Sequence, residues 1–197
     1  MIIIVSIILA FLCGSVPTGY LITKKLYGID IRTKGSGNIG STNVKRIAGT
    51  KASILTQIGD ILKGIIPIIL GIVIFRNITL LISKDIYLSL LALAVILGHN
   101  YTPFLGFRGG KGVNTTLGAF ILLIPVPTLT GVAVYFLLKL FTSIVSIRSM
   151  VLGITIFIAS IIMKSPLPIV VSTAMAAILI IFRHKDNIKR IINKEEK

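Results

Sequence analysis

The chain has 197 residues, 54% of them hydrophobic and 14% charged, with a mean hydropathy of +0.98. This composition excludes an ordinary soluble globular domain and identifies an integral membrane protein. The formal charge of +15, from 21 Lys and Arg against 6 Asp and Glu, is spread over short loops with no soluble domain to form a groove, which excludes nucleic acid as a partner.

Residues 2–26 form a first apolar span. No basic segment precedes it, no small-residue cleavage site follows it, and Lys24 and Lys25 close its far end, so it reads as a retained helix and not a signal peptide. Its lone Cys13 has no intramolecular partner and reads as a small apolar side chain. Basic residues hold membrane loops on the cytoplasmic side, so the N-terminus is expected outside and the loop at residues 27–51 inside. A second span covers residues 52–75, interrupted early by Asp60, Lys63 and Pro67; Asp60 and Lys63, three apart, read as a structural pair near its cytoplasmic end.

A third apolar stretch, residues 86–97, leads into the run GHNYTPFLGFRGGKGVNTT at residues 98–116. Residues 113–125 are apolar but number only about thirteen, short of the ~20 that a straight span needs; they predict a short helix or part of a re-entrant hairpin. Pro125 and Pro127 predict a break, residues 128–141 a further span, residues 143–148 a small polar turn, and residues 151–163 and 167–182 two more spans. The chain closes in the basic tail RHKDNIKRIINKEEK, with Ile188, Ile191 and Ile192 at helical spacing.

These stretches predict an all-α integral membrane protein of about seven transmembrane helices, some short. A single membrane-embedded domain is expected over residues 1–197, with the N-terminus outside and the C-terminus cytoplasmic. Only Arg76, Lys84 and Lys164 then lie outside among the loop cations, in agreement with the charge bias. A five-span version keeps the same sidedness, because the short segments drop out in a pair.

Three polar stretches fall on the cytoplasmic face. The first, GSGNIGSTNVKR from Gly35, holds a G-x-G-x-x-G pattern without the preceding strand or the downstream acidic ribose ligand of a dinucleotide site. Its glycines let backbone N–H groups converge on an anion, with Ser36, Asn38, Thr42 and Asn43 as neutral donors and Arg46 as a bidentate one. The competing structural account is a tight turn with helix caps from Ser41 or Asn43.

The second stretch is GFRGGKG at residues 106–112. Leu105 and Gly112 stand where a nucleotide-binding P-loop has glycine and Ser or Thr, which disfavours an NTPase. Gly109 and Gly110 suit a backbone approached closely by a ligand, and Lys111 supplies a point charge; topology anchoring alone would not need four glycines. The third stretch is the tail, where His184 and Asn187 share a helical face with Arg183 and Arg190 nearby. An interfacial anchor is the plainer account of that segment.

Absences narrow the chemistry. Six scattered acidic residues do not make a magnesium site, and no Cys/His cluster suits zinc, so no metal is expected. There is also no H-x-x-x-x-D pair: position 104 is Phe and position 189 is Lys. A membrane transporter for a phosphorylated or anionic solute is the alternative from another class; it predicts inverted repeats and polar residues at mid-membrane depth.

GSVPTGYL from Gly14, GSGNIGSTNVKR from Gly35, DILKG from Asp60, GHNYTPFLGFRGGKGV from Gly98 and HKDNIKR from His184 together resemble the bacterial acyl-phosphate:glycerol-3-phosphate acyltransferases, the PlsY family. The resemblance implies a seven-helix inner-membrane enzyme moving a fatty acyl group from acyl phosphate to the 1-hydroxyl of glycerol 3-phosphate, with no cofactor, acyl-CoA or acyl carrier protein. Ser41 and Asn114 depart from the alanine expected of the family at those positions. On this reading Lys111, Arg46, Ser36 and the Gly109/Gly110 backbone bind phosphate, and His184 and Asn187 close the site from the tail. Asn38 and Asn43 orient the loop or the glycerol hydroxyls, His184 is the side-chain candidate for a base, and His99 holds loop geometry.

Overall fold

Proline and glycine decide where the apolar stretches break, and they do so at different places than composition suggests. The structure, a computed structural model, describes residues 1–196. Its helices are α1 (Ile2–Ser15), α2 (Thr18–Tyr27), α3 (Ser41–Asn77), α4 (Lys84–Asn100), α5 (Val113–Ile121), α6 (Pro125–Leu138), α7 (Val145–Ile162), α8 (Leu167–Arg183) and α9 (Lys185–Ile192).

The first span is broken at Val16 and Pro17, because Pro17 has no N–H to continue the ladder. The Val16 carbonyl left at that break accepts a hydrogen bond from Lys63 Nζ on α3 at 2.8 Å. The expected loop at residues 27–51 holds a short helix from Ser41, which a kink at Gly49, with φ 83 and ψ 179, separates from the long apolar part of α3 where the second span was expected. Pro67 does not interrupt the second span. Its missing N–H leaves the Lys63 carbonyl without a helical donor, and the Cys13 thiol on α1 donates to that carbonyl at 3.6 Å. Cys13 is thus a weak donor at a proline defect as well as a small apolar group.

The break expected at Pro125 and Pro127 falls just before them, at residues 122–124, and the prolines themselves lie in the first turn of α6, where a missing N–H costs nothing. The polar turn expected at residues 143–148 is a correction: α7 begins at Val145, so Ser146, Arg148 and Ser149 lie on a helix and are buried. Nothing in composition marked this, because serine and arginine there read as loop residues until their burial is seen.

Four segments are long and apolar enough to cross a membrane: Ile2–Tyr27, Ser41–Asn77, Lys84–Leu105 and Val145–Ile162. A fifth is formed if α8 and α9, bent by 54°, are taken together. At 1.5 Å per residue, α5 is only about 14 Å long and α6 about 21 Å, less than the ~30 Å of a bilayer's hydrocarbon core.

The core forms around α4, whose Leu88, Leu91, Ala92, Val95 and Ile96 are buried against neighbouring helices. Water does not drive helices together inside lipid, so close packing by small residues must hold them. Gly14 on α1 lies against the Val95 backbone, and Gly98 on α4 lies against the Phe11 carbonyl; a Cβ at either would collide with main chain. Gly64 and Gly118 bring α3 and α5 together in the same way. Large apolar side chains such as Ile4, Leu9, Leu70 and Ile178 remain on the outer surface, as a lipid-facing wall requires. Gly98→Ala is expected to destabilise the protein by about 1–3 kcal/mol through overpacking, read as a lower Tm in detergent micelles; an unchanged Tm would show that the α1–α4 contact yields freely.

Candidate active site

The loop before α3 is shaped by two left-handed glycines, Gly35 (φ 58) and Gly37 (φ 68). Asn43, buried in the first turn of α3, holds it from behind: its Oδ1 accepts the Ser36 N–H at 3.0 Å, and its Nδ2 donates to the carbonyls of Lys34 and Asn38, each at 3.0 Å. Asn38 Oδ1 in turn accepts the Gly40 N–H at 2.8 Å. Asn43 therefore builds the loop and has no donor left for a ligand. Ser36, Thr42 and Arg46 stand exposed at the rim of the cavity that this loop borders.

The glycine-rich turn behaves differently from its sequence reading. The N–H of Gly109 donates to the Asn100 carbonyl at 3.2 Å and that of Gly110 to the His99 carbonyl at 3.0 Å. Their carbonyls accept from the Arg183 guanidinium, Gly109 O from Nη2 at 2.8 Å and Gly110 O from Nε at 3.0 Å. Neither glycine lines the cavity. The expectation that their backbone binds phosphate is corrected: these amides already have partners, and glycine is needed because a Cβ would strike the Asn100 backbone or the His99 ring. Their consequence is to aim Lys111 and Gly112 into the cavity.

His99 lies beneath that turn, 4% exposed, with Nδ1 3.6 Å from Asp60 Oδ1, beyond hydrogen-bonding distance. Asp60 Oδ1 accepts from Lys63 Nζ at 2.8 Å and from Thr18 Oγ1 at 2.9 Å. Asp60 and Lys63 form the pair expected from sequence, and the structure buries both, but Asp60 also faces the cavity with His99.

The tail supplies the third wall. His184 ends α8, and its Nδ1 lies 2.8 Å from the Ile180 carbonyl; with Nδ1–H donating there, Nε2 is the ring nitrogen left for a ligand. Lys111 Nζ donates to Asn187 Oδ1. Asn187 Nδ2 donates to Glu196 Oε1, which also accepts from Ser146 Oγ at 3.1 Å, while Arg190 Nε donates to Glu196 Oε2 at 2.6 Å. Sequence reasoning missed Ser146, Ser149 and Glu196, all of which line the cavity. The only available signal was the helical register of residues 145–149, hidden by the turn assignment.

Burial lowers the Lys111 ammonium from its ordinary value to about 8; Arg190 and Arg46 reinforce this, with Glu196 and Asp186 opposing. For Glu196, burial raises the carboxyl's pKa, but hydrogen bonds from Arg190, Asn187 and Ser146 outweigh it and keep the group below its ordinary range. Four helix N-termini, those of α3, α5, α7 and α9, border the cavity. The first turns of α3, α5 and α7 carry no acidic residue, so their amides and dipoles make this end of the cavity electropositive and suited to an anion. Ser41 and Asn114 meet here: Asn114 Nδ2 donates to Ser41 Oγ at 3.3 Å, joining α5 to α3.

The cavity measures about 590 Å³. Its polar mouth passes into an apolar groove between α3, α5, α6 and α7, lined by Ile61, Ile65, Leu117, Ile121, Val132 and Leu152. A smaller cavity of about 110 Å³ adjoins it and shares Ser36, Asn38, Lys111 and Asn187, adding Arg183, Lys185 and Arg190 against one carboxylate, Asp186. Lys111 thus stands between two anion-suited spaces, one of which continues into an oily channel.

The model of a family described as glycerol-3-phosphate acyltransferase matches residues 4–194. A glycerol-3-phosphate acyltransferase of Clostridium acetobutylicum is 62% identical over 196 residues, covering 100% of this chain and 99% of that protein. One from Bacillus subtilis is 41% identical over 196 residues, with 100% and 97% covered. Among solved structures, the glycerol 3-phosphate form of PlsY (YgiH), an integral membrane glycerol 3-phosphate acyltransferase, superposes with a TM-score of 0.90 at 34% identity, covering 100% of this chain and 95% of that one. Its lysophosphatidic acid form gives a TM-score of 0.88. With the fold, the cationic mouth and the sequence all in agreement over its full length, the chain belongs to the glycerol-3-phosphate acyltransferase family of integral membrane proteins.

Proposed function

We propose that this enzyme acylates the 1-hydroxyl of sn-glycerol 3-phosphate with a fatty acyl group from acyl phosphate, releasing lysophosphatidate and inorganic phosphate. The observation that carries the reading is the continuity of one cavity from a cationic mouth to an apolar groove. A soluble dianion and an amphipathic phosphate can meet only where both surfaces adjoin. The charged side chains of the cavity gather at its mouth and the rest of its lining is largely apolar, against the mid-membrane placement of charge that a transporter needs.

Residues 1–197 act as one membrane domain of about seven crossings, with α5 and α6 as the short pair. The N-terminus lies outside, and the site and tail face the cytoplasm of a bacterial inner membrane. The two phosphates sit on either side of Lys111, with Ser36, Arg46 and the first-turn amides of α3 and α5 completing the cradle. Asn187 and Glu196 hold Lys111 and Arg190 in place, Asn38 and Asn43 fix the loop, and His99 supports the turn that carries Lys111.

The acceptor hydroxyl attacks the acyl carbonyl carbon, and the bond from that carbon to the phosphate oxygen breaks. Phosphate leaves as its charge is stabilised by cations and helix termini that need no reorganisation. His184 Nε2 is the side-chain acceptor for the hydroxyl proton, while glycerol 3-phosphate brings a second acceptor in its own phosphate. Loss of activity in His184→Gln assigns the proton to the ring; near-normal turnover assigns it to the substrate.

Purified enzyme given acyl phosphate and labelled glycerol 3-phosphate is expected to form labelled lysophosphatidate. No product, or equal product with acyl-CoA as sole donor, overturns the reading. Lys111→Ala is expected to lower kcat/KM by roughly 100-fold or more; near-normal turnover would return it to a topology anchor. Because the Lys111 pKa is depressed to about 8, its positive form is complete below that pH and lost above it. The pH profile of kcat/KM should therefore fall on the alkaline side near pH 8, and Lys111→Arg should move that limb upward. Glu196→Ala should release Arg190, Asn187 and Ser146 together and raise KM for glycerol 3-phosphate by roughly tenfold, the scale of one charge-assisted hydrogen bond.

A further inference from the structure

From its polar mouth to its floor, the cavity has a depth that four helices report independently. From Val113 to Ile121 on α5, from Gln57 to Ile65 on α3, and from Phe136 to Thr128 on α6, the lining residues span eight steps, or about 12 Å at 1.5 Å per residue. Val145 to Leu152 on α7 spans about 10 Å. The floor is Ile65, Ile121 and Thr128, whose hydroxyl is tied to the Ile124 carbonyl at 2.9 Å, leaving its methyl for the groove. Beneath lie Ile68 and Ile124, 0% and 5% exposed and outside the lining of this cavity.

The sides are unequal. The α7 wall is closed, with Leu152 buried, whereas Ile65, Ile121 and Val132 are half-buried and Phe136 is 60% exposed. The helix α6 packs mainly on α7 and α5, not on α3, and α5 is too short to screen the gap between them. The groove is therefore blocked at its floor and open sideways, toward what would be lipid.

A zigzag of carbon–carbon bonds about 1.5 Å long advances about 1.25 Å per methylene, so about 12 Å from mouth to floor holds at most the first nine or ten carbons of an acyl chain. We propose that the groove measures this proximal segment alone and that the rest of the chain leaves sideways past Val132 and Phe136 into the bilayer. The enzyme then discriminates little among long donors, because the carbons that differ between them lie in lipid whether or not the donor is bound. This rests on the acyl-phosphate reading above.

The test is a competition in lipid vesicles holding acyl phosphates of about ten, fourteen and eighteen carbons at equal mole fraction, with products resolved by mass spectrometry. The wild type should give product ratios within about threefold, a free-energy spread below about 1 kcal/mol. Val132→Trp, which fills the side exit, should shift the ratio toward the ten-carbon product by about tenfold or more; because it is read within one sample, loss of folded enzyme cancels. A sharp wild-type optimum, with more than about tenfold between the long donors, would overturn the proposal, as would an unshifted ratio in Val132→Trp. No product from any donor with the wild type would instead overturn the acyl-phosphate reading itself, a result distinct from either.

Discussion

Four helices begin at one cavity, and the absence of acidic residues from the first turns of α3, α5 and α7 is the constraint on which the rest of the site depends. A helix N-terminus is electropositive because its first amides have no intrahelical acceptor. Converging several of them at the edge of a low-dielectric bundle would be unfavourable unless an anion were held there. Part of that balance is supplied by Glu196, whose carboxylate gathers Ser146, Asn187 and Arg190. A phosphate ligand extends the same logic, and Lys111 adds a charge that burial has already made easy to discharge.

The scaffold that brings these termini together is held by close packing and buried polar contacts. Glycines at the α1–α4 and α3–α5 crossings let main chains approach directly, as packing within lipid requires. Two proline defects are repaired by neighbours: Lys63 Nζ donates to the Val16 carbonyl beside Pro17, and the Cys13 thiol donates to the Lys63 carbonyl opposite Pro67. Lys63 also pairs with Asp60 at 2.8 Å, so one residue links the broken first span to the floor of the polar mouth. Removing either charged partner would leave the other buried and uncompensated, which costs more than the pair contributes.

The Ser41–Asn114 pair illustrates how polar side chains are accommodated at the cavity wall. Ser41 and Asn114 would each be an isolated polar addition, yet they face one another across α3 and α5 and share a hydrogen bond at 3.3 Å. Each satisfies part of the other's hydrogen-bonding capacity at the cavity wall, so the pair adds polarity without leaving an orphaned group.

Composition and spacing alone determined that this is a helical membrane protein and that three polar stretches belong together, because apolar runs longer than a soluble helix needs and loop cations obey physical rules local to the chain. Lys111, Asn187, His184, Ser36, Arg46 and the Asp60–Lys63 pair were legible for the same reason: charge and amides among oily helices require an explanation. What only the tertiary structure decided were the partners. Gly109 and Gly110 look like a phosphate cradle until the ends of α4 and α8 occupy their amides and carbonyls. Ser146 and Glu196, separated by fifty residues, look like a turn and a tail until both reach one cavity. A hydrogen-bonding group announces its capacity in sequence, but which neighbour satisfies it is fixed by packing between distant segments, and that packing assigned each of these groups to scaffold or to site.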